Sequence, residues 1–191
     1  CSQSLSTVIT HCGQSLNANH IPLLLAENFA GEPVLRGHVA RANPLLDDLA
    51  NNPETLVVFQ GAEHYITPSW YVTKKETEKV VPTWNYVVVH VRGMMHMIDD
   101  AQWLHQQLVD LTAQQESSRA EPWSVNDAPA EFLDQIKKAI VGVEVRIDHI
   151  VGKWKVSQNQ PPKNRASVVD GLEELGTDSA NSMRQWVAQH L

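Results

Sequence analysis

Val81-Pro82-Thr83-Trp84-Asn85-Tyr86, running without a break into Val87-Val88-Val89-His90-Val91, decides how the rest of this chain is read. Pro82 fixes its own φ and pushes Val81 toward extended geometry, so the segment is aimed before any ladder begins. The β-branched run behind it is strand-forming. Thr-Trp-Asn-Tyr at its mouth sets two aromatic faces beside two side chains that both donate and accept hydrogen bonds. Either the aromatics pack on neighbouring strands, or the strand entrance is a surface for a flat ligand with polar edges. With a period of two, Thr83 and Asn85 point one way and Trp84 and Tyr86 the other.

Upstream of this run the sequence reads as β. Leu5 to Thr10 and Asn17 to Leu25 flank the turn-rich Cys12-Gly13-Gln14-Ser15 and form a hairpin. A third strand covers Val34 to Ala42, opened by Glu32-Pro33 and ended by Asn43-Pro44. A short helix follows over Leu45 to Ala50, broken by Asn51-Asn52-Pro53. Thr55 to Gln60 is the next strand, and Tyr65 to Val72, holding Pro68, is irregular or an edge strand. Thr83 to Ile98 is one bent strand or two, with Gly93 at the bend.

Downstream the period changes. Trp103, Leu104, Leu108 and Leu111 recur at helical spacing over 101–115, with Asp99 or Asp100 as the cap. A second helix covers 128–139, and Val141, Val143, Val145 and Ile147 then alternate with polar residues in a half-buried strand. Helices over roughly 164–190 close the chain. Strands in consecutive order with helices late in the chain give an α+β fold, a closed antiparallel barrel with peripheral helices. A single domain over 1–191 is expected from the length.

Composition narrows the function classes. The 42% hydrophobic and 19% charged content is that of a globular chain, and no apolar run approaches the roughly 18 residues that cross a bilayer. Cys1 and Cys12 have neither the number nor the spacing of a disulfide framework or a zinc site, which points to a reducing, cytoplasmic setting. With 15 basic against 22 acidic residues, the charge disfavours non-specific nucleic-acid binding. The nine histidines are scattered singly, which argues against a metal site. There is no GxSxG or HExxH arrangement, and no catalytic base can be assigned.

Four clusters carry polar chemistry. In Gly37-His38-Val39-Ala40-Arg41-Ala42-Asn43-Pro44, Arg41 and Asn43 share a face at a strand end, where a guanidinium fork and an amide can hold a phosphate. The alternative is an arginine at a barrel rim paired with a carboxylate. His38 has the opposite parity and reads as a hydrogen-bonded packing residue. In Tyr65-Ile66-Thr67-Pro68-Ser69-Trp70-Tyr71, Thr67 and Ser69 share parity if extended and suit an anion or a ribityl chain. Alternatively they cap their own turn. The opening motif is the third cluster. The fourth is Gly152-Lys153-Trp154-Lys155-Val156-Ser157-Gln158-Asn159, with Lys153, Lys155, Ser157 and Asn159 on one face.

These four blocks, together with Ala18-Asn19-His20-Ile21-Pro22-Leu23-Leu24-Leu25 and Ile140-Val141-Gly142-Val143-Glu144, resemble the PaiB-type family of FMN-binding negative transcriptional regulators. The match covers nearly the whole chain. Family members carry a further N-terminal segment, expected to be helical, ahead of the strand at Leu5, and on this reading the chain starts after it. The resemblance implies an FMN-binding split barrel like that of pyridoxamine-phosphate-oxidase-type flavoproteins, and a homodimer with FMN between subunits. It implies FMN contacts from Arg41, Asn43, Thr67, Ser69, Thr83 and Asn85, with Trp84 and Lys155 as further candidates. It also implies a regulatory or redox-sensing flavoprotein acting as a transcriptional repressor, so DNA is a partner by resemblance even though the charge disfavours it. The alternative on the same barrel is a flavin-dependent oxidoreductase or a haem-handling enzyme.

Overall fold

The computed structural model describes residues 3–13 and 15–191. Cys1, and Gln14 of the expected turn, lie outside the described residues. Among the described residues, seven strands form one sheet: β1 Leu5–Cys12, β2 Ser15–Pro22, β3 Leu24–Glu27, β4 Pro33–Ala40, β5 Glu54–Ile66, β6 Thr83–Ile98 and β7 Ile140–Lys155. Six α-helices accompany them: α1 Leu45–Asn51, α2 Lys74–Thr77, α3 Ala101–Glu116, α4 Ala130–Lys138, α5 Pro162–Leu175 and α6 Asp178–Ala188. The order across the sheet is β2-β1-β5-β6-β7-β4-β3, antiparallel throughout.

Contacts divide the chain into two compact units. The first comprises residues 1–59 and 90–151, the second residues 60–89 and 152–191. Their boundaries fall inside β5, β6 and β7, so each of these strands contributes residues to both.

In the first unit, chain connectivity dictates the curvature. β2 and β3 stand at opposite edges of the strand order, yet Leu23 alone separates them. A flat seven-stranded sheet would hold its edges about 29 Å apart at the usual spacing of about 4.8 Å per strand. One intervening residue lets the flanking Cα atoms stand at most about 7 Å apart, so the sheet of this unit rolls into a barrel. Gly37 of β4 marks the closure: a Cβ there would sit 2.7 Å from both the Pro22 carbonyl and the Leu23 side chain. Val8, Val34, Val57, Met95, Val143 and Val145 fill the interior as the inward members of alternating strands.

The expected strand over Asn17 to Leu25 is therefore two strands. The apolar run Ile21-Pro22-Leu23 reads as continuous, but it is interrupted because the chain passes from one edge to the other. Asp99 and Asp100 divide the roles left open between them. Asp100 Oδ1 accepts from Trp103 N–H at 2.7 Å and caps α3, while Asp99 pairs with Arg41.

The second unit packs α5 and α6 over strand ends. Its core joins Ile66, Tyr71, Val87, Val156, Val168, Leu172, Ala180, Met183 and Val187. Trp70 closes on α5 at Gly171, where a Cβ would meet the indole at 2.4 Å. Pro68 starts a single 3-10 turn, Pro68–Trp70, after β5 has run on through Gly61 to Ile66. Thr67 is extended but residues 68–70 are coiled, so Thr67 and Ser69 do not alternate as strand residues. β7 likewise ends at Lys155, and Ser157 takes a left-handed φ of 62°, so the shared face drawn through Ser157 and Asn159 does not exist. α2, only four residues long, carries no periodicity that a sequence reading could detect.

Candidate functional site

Of the eight candidate flavin contacts, Arg41 and Asn43 belong to the first unit and the other six to the second. Arg41 lies just past β4. Its fork donates to both carboxylate oxygens of Asp99, and its Nε donates to the Lys138 carbonyl at 3.0 Å. This is the rim arginine paired with a carboxylate, and the paired guanidinium holds the Asp99 carboxyl below the usual carboxylate range. Asn43 Oδ1 accepts from Leu45 N–H at 2.9 Å, which orders the entry to α1.

In the second unit the sequence blocks converge in pairs. Lys155 Nζ donates to Thr83 Oγ1 at 2.6 Å, joining the end of β7 to the start of β6. Asn85 Nδ2 donates to Ser157 Oγ at 2.8 Å, and both residues are buried. Asn85 is only 1% exposed and its Oδ1 has no hydrogen-bond partner among the described residues. The strained left-handed backbone at Ser157 is held by Gln158, which accepts from Val156 N–H at 2.7 Å and donates to the Trp154 carbonyl at 2.6 Å.

Thr67 and Ser69 form the self-capped turn: Ser69 N–H donates to Thr67 Oγ1 at 3.2 Å. Lys74 Nζ then reaches Ser69 Oγ at 3.4 Å and adds a second cation that sequence reasoning missed. Its signal was weak, because Lys74-Lys75 sits in a charged stretch that reads as a solvated surface. Trp84 is exposed, and Tyr65 meets it edge-on with ring centroids 5.9 Å apart. Trp84 and Tyr86 also line a groove of 220 Å³ together with Gln60, Glu63, Val87 and Val88.

The donor set fits a phosphorylated flavin. Lys155 and Lys74 supply positive charge, Thr83 and Ser69 supply hydroxyls, and Trp84 presents an open aromatic face. The orphaned Asn85 Oδ1 is the kind of buried acceptor that a ligand donor or an ordered water satisfies. Among the described residues, no group of three or more His, Cys, Asp or Glu side chains could hold a metal ion. Among the described residues, no helix is long and apolar enough to cross a membrane.

A seven-stranded antiparallel sheet accompanied by helices gives an α+β fold of the split-barrel type. Residues 2–149 match the family described as "Putative FMN-binding domain". The chain belongs to this FMN-binding family, of the PaiB type. It is 34% identical over 205 residues to an uncharacterized protein of Emericella nidulans, spanning 91% of this chain and 82% of the relative. It is 28% identical over 188 residues to the protease synthase and sporulation protein PAI 2 of Bacillus subtilis, spanning 98% of this chain and 87% of the relative. Among solved structures, the FAD and heme binding protein of Mycobacterium smegmatis aligns with a TM-score of 0.57 at 17% identity. That alignment covers 80% of this chain and 66% of the other, and it shows a shared fold.

Proposed function

We propose that the chain binds FMN at the second-unit rim and acts as a regulatory or redox-sensing flavoprotein. The observation that carries this reading is the Lys155–Thr83 contact, which makes a cation and a hydroxyl from two separate sequence blocks one anion-binding pair beside an exposed indole. In this reading Lys155, Thr83, Thr67 and Ser69 hold phosphate and ribityl oxygens, and Trp84 lies against the ring. Asn85 acts from beneath through its free Oδ1. Bound FMN supplies one- and two-electron redox chemistry. What the chain supplies is binding and orientation, since none of these side chains is placed as a general base.

The absorption spectrum of the purified protein tests this. A flavin band that NADH and NADPH leave unbleached is the expected result, with FMN as the mass of the released cofactor. Bleaching by either nucleotide would replace the regulatory reading with an oxidoreductase, and a Soret band on haem titration would replace it with a haem-handling protein.

The same site implies a homodimer. The 220 Å³ groove at Trp84 is below the roughly 300 Å³ at which small-molecule pockets begin, so a flavin would overhang it. Residues 148–155 of β7 are exposed on both faces, Ile150, Val151 and Trp154 among them, where a strand normally buries one. A second copy that covers this strand would complete the pocket wall. Multi-angle light scattering is expected to give twice the 21.4 kDa chain mass, and a stable monomer would contradict the arrangement.

A further inference from the structure

The first unit contains a cavity of 740 Å³ whose lining includes Glu27, Phe29, Arg36, Trp103, Gln107 and Glu144, and none of the candidate flavin contacts. Its floor is unusual in one respect. Gln107 is 2% exposed; its Oε1 is hydrogen-bonded to His38 Nδ1 at 2.8 Å, and its Nε2 has no partner among the described residues. A buried amide without a partner is costly, and native proteins keep few of them. Phe29, at the turn between β3 and β4, is fully exposed at the cavity edge.

The charges select the ligand. Arg36 Nε donates to Glu144 Oε2 at 2.7 Å, and its guanidinium lies 5.4 Å from the centre of the Trp103 ring. The Arg36–Glu144 pair therefore cancels. Glu27 and Asp100, also in the lining, leave the cavity net acidic, so a phosphate or carboxylate is repelled. What remains is a demand for an uncharged or cationic ligand with a hydrogen-bond acceptor for Gln107 and donors for the carboxylates.

We propose that this cavity is a second ligand site for an unphosphorylated, amine-bearing purine nucleoside of the adenosine type. A ring nitrogen accepts from Gln107 Nε2, and the adjacent exocyclic amine donates to the second lone pair of Gln107 Oε1. Glutamine amides pair with adenine edges in this way. The orientation of the Gln107 amide depends on which His38 tautomer is present, and an edge with donor and acceptor side by side serves both. The volume lies within the roughly 300–1,000 Å³ of small-molecule sites and suits a nucleoside better than a free base.

Isothermal titration of the FMN-saturated protein with adenosine, AMP and purine riboside tests the proposal. Adenosine is expected to bind one per chain. AMP, which brings the repelled phosphate, and purine riboside, which lacks the amine, are each expected to bind at least about tenfold more weakly. Gln107→Leu is expected to lose at least about tenfold in adenosine affinity. No saturable adenosine binding, AMP binding as tight as adenosine, or an unchanged Gln107→Leu would each overturn the site. If Gln107→Leu does not fold, Glu27→Gln at the exposed edge is read instead, and an unchanged ratio of AMP to adenosine affinity overturns it. A chain that takes up no FMN is titrated without it, so failure of the flavin reading and failure of this site are separate outcomes.

Discussion

Lys155→Ala is expected to raise the Kd for FMN by about 10–100-fold while changing the Kd for riboflavin by less than about threefold. Hydrogen bonds to charged groups contribute about 1.5–3 kcal/mol, and each 1.4 kcal/mol is tenfold in affinity. Riboflavin shares the ring and ribityl chain of FMN and lacks only the phosphate. In the proposed site Lys155 is the residue that reads this difference, and its ammonium donates to Thr83 Oγ1 at 2.6 Å, which sets cation and hydroxyl side by side. Thr83→Val is expected to lose less, because the charge remains while the hydroxyl that orients it goes. Lys137→Ala removes the same charge from α4, where Lys137 pairs with Asp134, and should leave both ligands unaffected. Equal losses of FMN and riboflavin in Lys155→Ala would remove Lys155 from the phosphate site. The FMN effect should also shrink at high salt, since the pair is exposed.

Local chemistry made much of the fold legible. Pro82 and the valine run placed β6, strict alternation placed β7, and Asp100 before a 3.6-residue apolar repeat placed α3 with its cap. The failures lie where distant parts of the chain decide. Nothing local to Leu23 says that it joins opposite edges of a sheet, because that follows from Gly37, fourteen positions on, admitting the Pro22 carbonyl. Pro68 was rightly read as irregular, but the 3-10 turn depends on Thr67 accepting from Ser69. The site divided the same way. Residue types in Thr83-Trp84-Asn85 and Lys155 read as a candidate ligand surface, whereas the Lys155–Thr83 contact spans 72 positions and appears only in the folded chain. The parity reading put Asn85 with Thr83 on one face, yet Asn85 is buried, where it bonds Ser157, while Thr83 is only half-buried. His38 was read as a hydrogen-bonded packing residue, and its partner Gln107 lies 69 positions away.

Asp48 shows how a residue can carry stability and still escape a sequence reading. It looks like an exposed acid in the first turn of a short helix, yet it is 4% exposed. Thr10 Oγ1 donates to its Oδ2 at 2.7 Å, and Asn17 Nδ2 donates to its Oδ1 and Oδ2 at 3.1 and 2.9 Å. One carboxylate thus ties α1 to β1 and β2. These bonds, the Thr10 hydroxyl first, hold its carboxyl below the usual range. Because the folded form binds its proton less readily than the unfolded chain, the contribution is complete above the unfolded value of about 4. It is lost as pH falls through the lower folded value. Asp48→Ala strands a buried hydroxyl and an amide, and is expected to cost about 3 kcal/mol at pH 7, read as a lower urea midpoint at unchanged slope. The variant should also lose less stability than the parent on acidification below pH 4, because the titrating group is gone. A loss under about 0.5 kcal/mol, or an acid limb as steep as the parent's, would show that α1 is held by the burial of Leu45 and Leu49 and not by this carboxylate.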